Sequence, residues 1–237
     1  VWDAWLGGAP ERPYHQGIFS GGWHHFWDFS GGDLCNDGIH QADLALMLMG
    51  DPGMPDAVAC SGGRLHHQDD SEVPDLQVVT CEFNEFVLTI EHSNYPRYMR
   101  KTSGTIRRND ELPYWTQNAT RVELYGSELL MIVGRHGGGW VTMTSGGKIV
   151  DKVYGRPGDE PHAADFLARI RDRKRPTAAV AVAHAAGAML HMANIAHRVG
   201  NVKLRFDADR NTFRDHDAAN ALMRRPYRAP YGIPDAT

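Results

Sequence analysis

The sequence predicts an α+β fold: an open, mostly antiparallel β-sheet with helices packed on one face. Three observations carry that expectation. Short runs of strand character fill the middle of the chain, helical periodicity lies on either side of them, and the strands succeed one another across very short connections. A parallel crossover needs about a dozen residues or more, so such neighbours must pair antiparallel. The 237 residues suit one domain, since single cores grow to roughly 250 residues.

Residues 1–30 begin W-D-A-W-L-G-G-A-P-E-R-P-Y, where glycine and proline punctuate rather than repeat, and they read as an ordered loop. Its aromatics, Trp2, Trp5, Tyr14, Phe19, Trp23, Phe26, Trp27 and Phe29, outnumber what solvent-facing positions carry. They either pack onto the domain surface or form an aromatic wall for a sugar-like ligand, because such pockets combine apolar ring faces with a few convergent polar groups.

Residues 31–50 form a polar loop and a helix. Gly31 and Gly32 permit a tight turn, Asn36 or Asp37 can cap the helix, and Leu44, Met47 and Leu48 are its expected buried face. The loop delivers His40 to the first turn of that helix, which seats an imidazole rigidly. A histidine there can serve as general acid or base, since its pKa lies near neutrality. The plain alternative is a capping Asn36 beside a surface His40.

Residues 57–153 carry the sheet. Strands are expected at Ala57–Ser61, Leu76–Phe83 and Phe86–His92, with Asn84-Glu85 as a tight hairpin and with Phe86, Leu88 and Ile90 on one face. Further strands are Arg121–Tyr125, Glu128–Val133, Trp140–Thr144 and Lys148–Val153, parted by glycine pairs and runs. Residues 160–224 supply helices and the tail. One helix spans Glu160–Lys174 with Phe166, Leu167 and Ile170 as its apolar stripe, between Pro161 and Pro176. The longest covers Ala178–Val199, with Val182, Ala186, Met189, Ala193 and Ala196 in a stripe and Gly200 as its stop. A short strand at Lys203–Phe206 and a small helix at Asp215–Arg224 follow. Helices on one face leave the other sheet face to a partner domain or a second copy of the chain, so a homo-oligomer through that open face is expected.

Composition excludes several classes. With 42% hydrophobic and 23% charged residues and a net charge of -4, the chain lacks the basic excess of a nucleic-acid binder. Its one basic cluster, Arg97, Arg100, Lys101, Arg107 and Arg108, reads as a solvated loop. No apolar run reaches the roughly 20 residues of a membrane span. The longest, Ala178–Ala196, is broken by His184, His191 and Asn194. Neither nucleic acid nor membrane is therefore an expected partner. Three cysteines, Cys35, Cys60 and Cys81, are too few and too scattered for a disulfide framework or a paired zinc motif, and buried thiols are the default. The chain begins at Val1 with no charged leader, and reads as a piece of a longer or processed polypeptide. No G-x-G-x-x-G follows an opening strand and no P-loop is present, so no phosphate cradle for a cofactor is expected on this chain. The glycine-rich Gly134–Trp140 reads as a hairpin turn.

Taken in order, W-L-G-G-A-P-E-R-P-Y, W-H-H-F-W-D-F-S-G-G-D-L-C-N-D-G-I-H-Q-A-D-L-A, S-G-G-R at Ser61–Arg64, Y-G-S-E at Tyr125–Glu128 followed by V-G-R-H-G-G-G-W, A-N-I-A-H-R-V-G at Ala193–Gly200 and R-R-P-Y-R-A-P-Y at Arg224–Tyr231 resemble the C-terminal domain of the Gfo/Idh/MocA oxidoreductases. That domain has the α+β architecture also seen at the C-terminus of glyceraldehyde-3-phosphate dehydrogenase. The resemblance implies an N-terminal Rossmann domain binding NAD or NADP, which this chain does not contain, and reversible hydride transfer at a sugar, polyol or glycoside hydroxyl. One branch of the family uses tightly held NAD to cleave glycosidic bonds instead, and the compartment is open between cytoplasm and periplasm. The family pattern sets the catalytic histidine four residues after an Asp or Asn and three before an Asp. Here those positions are Asn36, His40 and Asp43, and the resemblance gives His40 the proton-relay role. Asn36 stands where many relatives carry Asp, with Asp37 as a possible substitute. Asp37, His24, Trp27, Asp33 and Asp43 are the candidate substrate contacts. A non-enzymatic carbohydrate-binding or oligomerisation module is the alternative from another class.

His24, His25, His40, His66 and His67 are the residues a metal site could draw on. Adjacent residues of a strand point to opposite faces, so each histidine pair could offer one ligand only, and no metal site is expected. His184, His191 and Arg198 recur at seven-residue spacing beside Asn194, as a buried polar seam or a substrate-side feature.

Overall fold

The computed structural model describes residues 1–96, 120–134, 139–153 and 158–232. They gather into two compact units, the first of residues 1–39, 54–95 and 187–237 and the second of residues 40–53 and 96–186. The expected basic cluster and most of the glycine run after Gly134 lie outside the described residues.

In the first unit, β1 (Ala57–Gly63), β2 (Leu76–Glu82), β3 (Val87–Ser93), β8 (Lys203–Asp207) and β9 (Thr212–Phe213) form an antiparallel sheet ordered β3-β2-β1-β8-β9. Its register explains its core. Val58 faces Cys81 on one side and Leu204 on the other, while Cys60 faces Val79; all five are buried. Alternation in β2 leaves Val78 exposed and buries Gln77, Val79 and Cys81, as a period of two requires. The Asn84-Glu85 hairpin forms as expected, closed by Phe83 N–H donating to Phe86 O at 2.9 Å.

The second unit holds a separate antiparallel sheet, β4 (Arg121–Tyr125), β5 (Leu129–Gly134), β6 (Trp140–Thr144) and β7 (Ile149–Val153), in chain order. The antiparallel α+β class stands, and the strands are divided between two sheets rather than joined in one. Each strand lies within a residue or two of its expected place. Glycine pairs marked the turns, and turns fix strand ends.

Helices depart further from expectation. Residues 1–30 are not a loop throughout: α1 (Trp2–Leu6), α2 (Gln16–Phe19) and a 3-10 turn at Gly22–His25 occupy them. The glycine segment is itself helical, as α3 (Gly32–Asn36), so Asn36 ends a helix rather than starting one, and Asp37 is its C-cap. The next helix, α4 (Gly38–Leu48), buries Ala42, Ala45 and Leu46, whereas Met47 is 52% exposed. Small alanines can approach neighbours more closely than the larger residues flanking them. In α5 (Asp159–Asp172) the expected stripe faces outward, with Phe166, Leu167 and Ile170 all about half exposed.

The long helix α6 (Val180–Arg198) behaves as its periodicity predicts, burying Ala186, Met189, Ala193 and Ala196, together with Leu190. A final α7 covers Asp217–Ala221. The contrast between α5 and α6 is testable by denaturant titration. Leu190→Ala, at a position with no exposed surface, is expected to cost about 2–5 kcal/mol through lost burial and a residual cavity. Phe166→Ser, at a 58% exposed position, should shift stability by no more than about 0.5 kcal/mol.

Candidate functional site

Gly31 and Gly32 begin the site. Gly32 has φ of 74°, a left-handed conformation that a β-carbon disfavours. A β-carbon there would also lie 2.9 Å from Val73 Cγ2. Gly31 is held from the other side: its carbonyl accepts Asn194 Nδ2 at 2.8 Å, and the Asn194 Oδ1 accepts Gln77 Nε2 at 3.0 Å. Asn194 and Gln77 are both buried, so one amide pair ties the glycine turn, the long helix and β2 together. Of the expected polar seam on α6, only Asn194 is buried; His184, His191 and Arg198 are exposed. The same Asn194 amide lies 3.3 Å from Cys35 Sγ, and burial pushes that thiol up to about 12. All three cysteines are free.

This anchorage sets α3 and presents Asp33. Asp33 Oδ2 accepts Asn94 Nδ2 at 3.3 Å, while Oδ1 lies 3.5 Å from His24 Nε2. His24 Nδ1 is 2.9 Å from the Gly21 carbonyl oxygen. A carbonyl can only accept, so Nδ1 carries the proton and Nε2 is the atom turned to Asp33. His25 is beside them, its ring centroid 3.9 Å from that of His24. Both histidines belong to the 3-10 turn, not to a strand. The premise that the pair points to opposite faces is therefore overturned. At three residues per turn, adjacent side chains diverge by about 120° rather than 180°, and here they converge on one carboxylate. Burial, followed by repulsion from His24, lowers the His25 pKa against the opposing pull of Asp33.

His25 and Asp33 open onto a cavity of about 300 Å³ whose other walls include Arg64, Asp69, Ser71 and Asn94. Its floor is rigid. The Asp75 carboxylate is buried and accepts the backbone N–H groups of Leu65, His66 and His67 at 2.8–2.9 Å. Burial alone would raise its pKa; the three donors bring it below the ordinary carboxylate value. Arg64 donates to Val73 O, His67 O and the Asp69 carboxylate, the last at 2.7 Å. Asp69 is held down at about 2, first by the Ser71 backbone N–H and hydroxyl and then by Arg64. Burial lowers the pKa of His92 despite the nearby Asp33, Asp37 and Asp75, and its Nδ1 has no hydrogen-bond partner among the described residues.

The aromatic residues pack on one another, and some of them also line a cavity. Trp2 stacks on Trp5 at 4.8 Å and Phe29 meets Trp5 edge-on at 5.4 Å, which is ordinary packing. Yet Trp5, Trp23, Phe29 and Tyr227, with Asp28 and Arg225, also line a second cavity of about 330 Å³. Trp27 sits apart from both, under the Arg198 guanidinium at 5.1 Å, with its backbone N–H donated to Glu72.

Of the sequence-predicted residues, the structure brings His24 and Asp33 together, and the helix of Asp33 ends with Asn36, exposed, and Asp37, half-buried. His40 and Asp43 are exposed on α4, within the second unit. Sequence reasoning missed Arg64, Asp69, Asp75 and Asn94. None belongs to a periodic pattern, and their roles emerge only where β1, β2 and β3 converge.

Two family profiles cover nearly all of this chain: GFO/IDH/MocA C-terminal domain at residues 8–129, and oxidoreductase family, C-terminal alpha/beta domain, at residues 128–233. No curated protein matches it. Among solved structures, a protein of Desulfitobacterium hafniense assigned provisionally as an NADPH-dependent oxidoreductase aligns with TM-score 0.55 and 13% identity, over 77% of this chain and 51% of that one. UDP-N-acetylglucosamine 3-dehydrogenase GnnA from Acidithiobacillus ferrooxidans aligns with TM-score 0.51 and 16% identity, over 82% of this chain and 55% of that one. At such identities the likeness is one of fold. The chain spans about half the length of these structures.

Proposed function

Because the chain belongs to the Gfo/Idh/MocA oxidoreductase family, as its C-terminal α/β domain, we propose that it is the substrate side of an enzyme moving a hydride between NAD or NADP and a sugar, polyol or glycoside hydroxyl carbon. The observation that carries this reading is the run of family matches in chain order from residue 8 to residue 233. GnnA acts on a UDP-sugar by its name, which makes sugar nucleotides the first substrates to test.

In this reading His40 Nε2 or Nδ1 takes the hydroxyl proton as the carbon loses hydride, and returns it in the reverse direction. Its place in the first turn of α4 and its exposure leave the ring able to meet a substrate oxygen. Asn36 orients that ring or the substrate. Asp37, His24, Trp27, Asp33 and Asp43 hold hydroxyl groups, carboxylates being strong acceptors for them. A nicotinamide, held by a Rossmann domain outside this chain, would supply or accept the hydride when bound. Among the described residues no glycine-rich strand-to-helix turn offers a phosphate cradle. A second subunit meeting an exposed sheet face completes the proposed assembly.

The test is turnover by the complete polypeptide, followed through nicotinamide absorbance with UDP-sugars and free sugars. Reduction of NAD or NADP that depends on one of these substrates is the expected result. A second reading, a carbohydrate-binding module, is favoured by the Trp5, Trp23, Phe29 and Tyr227 cavity, since aromatic faces suit sugar rings. Sugar binding that persists with no nicotinamide reduction under any substrate would replace the first reading with this one.

A further inference from the structure

Besides the substrate contacts proposed for His24 and Asp33, the described residues of the first unit hold one cluster of metal-type donors. Two imidazoles and a carboxylate, from His24, His25 and Asp33, each offer one ligand atom, and these atoms lie within 4.8 Å of one another. We infer that His24, His25 and Asp33 form a binding site for a divalent first-row transition-metal ion, at the edge of the Arg64 and Asn94 cavity.

Four features of the geometry support this site. The donor set is two histidines and one carboxylate, which suits zinc, iron or cobalt and not calcium or magnesium, whose sites are built from oxygen. The outer contacts are already in place. His24 spends Nδ1 on the Gly21 carbonyl at 2.9 Å, leaving Nε2 toward the cluster, and Asn94 Nδ2 holds Asp33 Oδ2 at 3.3 Å, leaving Oδ1. Second-sphere bonds of this kind fix ligand orientation in metal sites. The spacing is close to what an ion demands. Bonds of about 2.0–2.2 Å separate tetrahedral ligands by about 3.4 Å, and His24 Nε2 already lies 3.5 Å from Asp33 Oδ1. Finally, His25 and Asp33 both line the 300 Å³ cavity, so positions not filled by protein would face open space that can hold water or a hydroxyl-bearing ligand.

A simple ion pair between His24 and Asp33 accounts for less. It gives no reason for His25 to bring its ring within 3.9 Å of the His24 ring. An ion shared among the three uses all of them. The turn that achieves this is itself tied down, since the His25 carbonyl accepts both Glu72 N–H at 2.9 Å and Val73 N–H at 3.3 Å.

The inference shares His24 and Asp33 with the substrate contacts proposed above, and it is tested without turnover. Metal-stripped complete chain is titrated with zinc by calorimetry and with cobalt by visible absorption. One equivalent should bind, with a cobalt spectrum showing nitrogen and oxygen ligation. His25→Ala and Asp33→Asn should each weaken binding by about a hundredfold or more, while His162→Ala, on α5, leaves it unchanged. Circular dichroism of each variant separates lost ligation from lost folding, and His24→Gln provides an independent arm should either fail to fold. Binding of no ion, binding of several equivalents without saturation, or equal affinity in the folded ligand variants and the parent would overturn the inference.

Discussion

His40→Ala in the complete enzyme is expected to lower kcat by about a hundredfold or more, because general acid–base catalysis contributes about that much. The side chain is exposed on α4, so truncation is expected to leave the protein folded, which circular dichroism and the unfolding midpoint check. The two readouts together make the test decisive. Loss of turnover with an unchanged unfolding midpoint supports a chemical role. A further discriminator is the pH profile: if the imidazole accepts the proton, the acid limb of kcat/KM should disappear in His40→Ala, and His40→Asn should not restore it. Retained turnover in His40→Ala refutes the assignment. Asn36→Ala, removing a group argued only to orient, should cost less and leave the acid limb in place.

A large effect on stability is expected at Asp75. Its buried carboxylate accepts three backbone N–H groups from residues 65–67. Asp75→Ala leaves those donors without partners, and should cost about 3 kcal/mol, lowering Tm by roughly 6–12 °C for a chain of this size. The same residue gives a pH dependence with a definite sign. Its pKa is lowered in the folded state, so its contribution is fully present above the unfolded value of about 3.9 and fades as pH falls through the lower folded value. Unfolding of the parent should therefore become easier below about pH 4, and Asp75→Asn should flatten that acid limb. A parent and an Asp75→Asn variant with identical stability curves across this range would remove Asp75 from the account.

Strands were legible because their determinants are local. The alternation Leu88, Thr89, Ile90 reports a half-buried face directly, and Gly126-Ser127 or Gly146-Gly147 can be little other than a turn. The long helix was legible for the same reason, with enough turns for Ala186, Met189, Ala193 and Ala196 to repeat. Short helices were not. Gly32–Asn36 is a single turn of helix, too brief for any period to show, and it is stabilised by Asn194, which lies more than 150 residues away. Phe166, Leu167 and Ile170 have helical spacing but no described core to meet, which periodicity cannot report. The His24–His25 pair was misread because a strand was assumed where three-residue-per-turn geometry holds. The local hint was Gly21-Gly22, one residue ahead of the pair, since glycines interrupt extended backbone as readily as they permit it.

The raised thiol pKa values have a practical consequence for labelling chemistry. Cys35 and Cys81 both sit at about 12, and burial raises Cys60 as well. Thiolate is the reactive form, so near neutral pH the native cysteines offer maleimides and haloacetamides almost nothing to attack. A single cysteine introduced on an exposed helix becomes the one handle such a reagent finds, and spectroscopic probes can be placed on either unit without first removing the natural thiols.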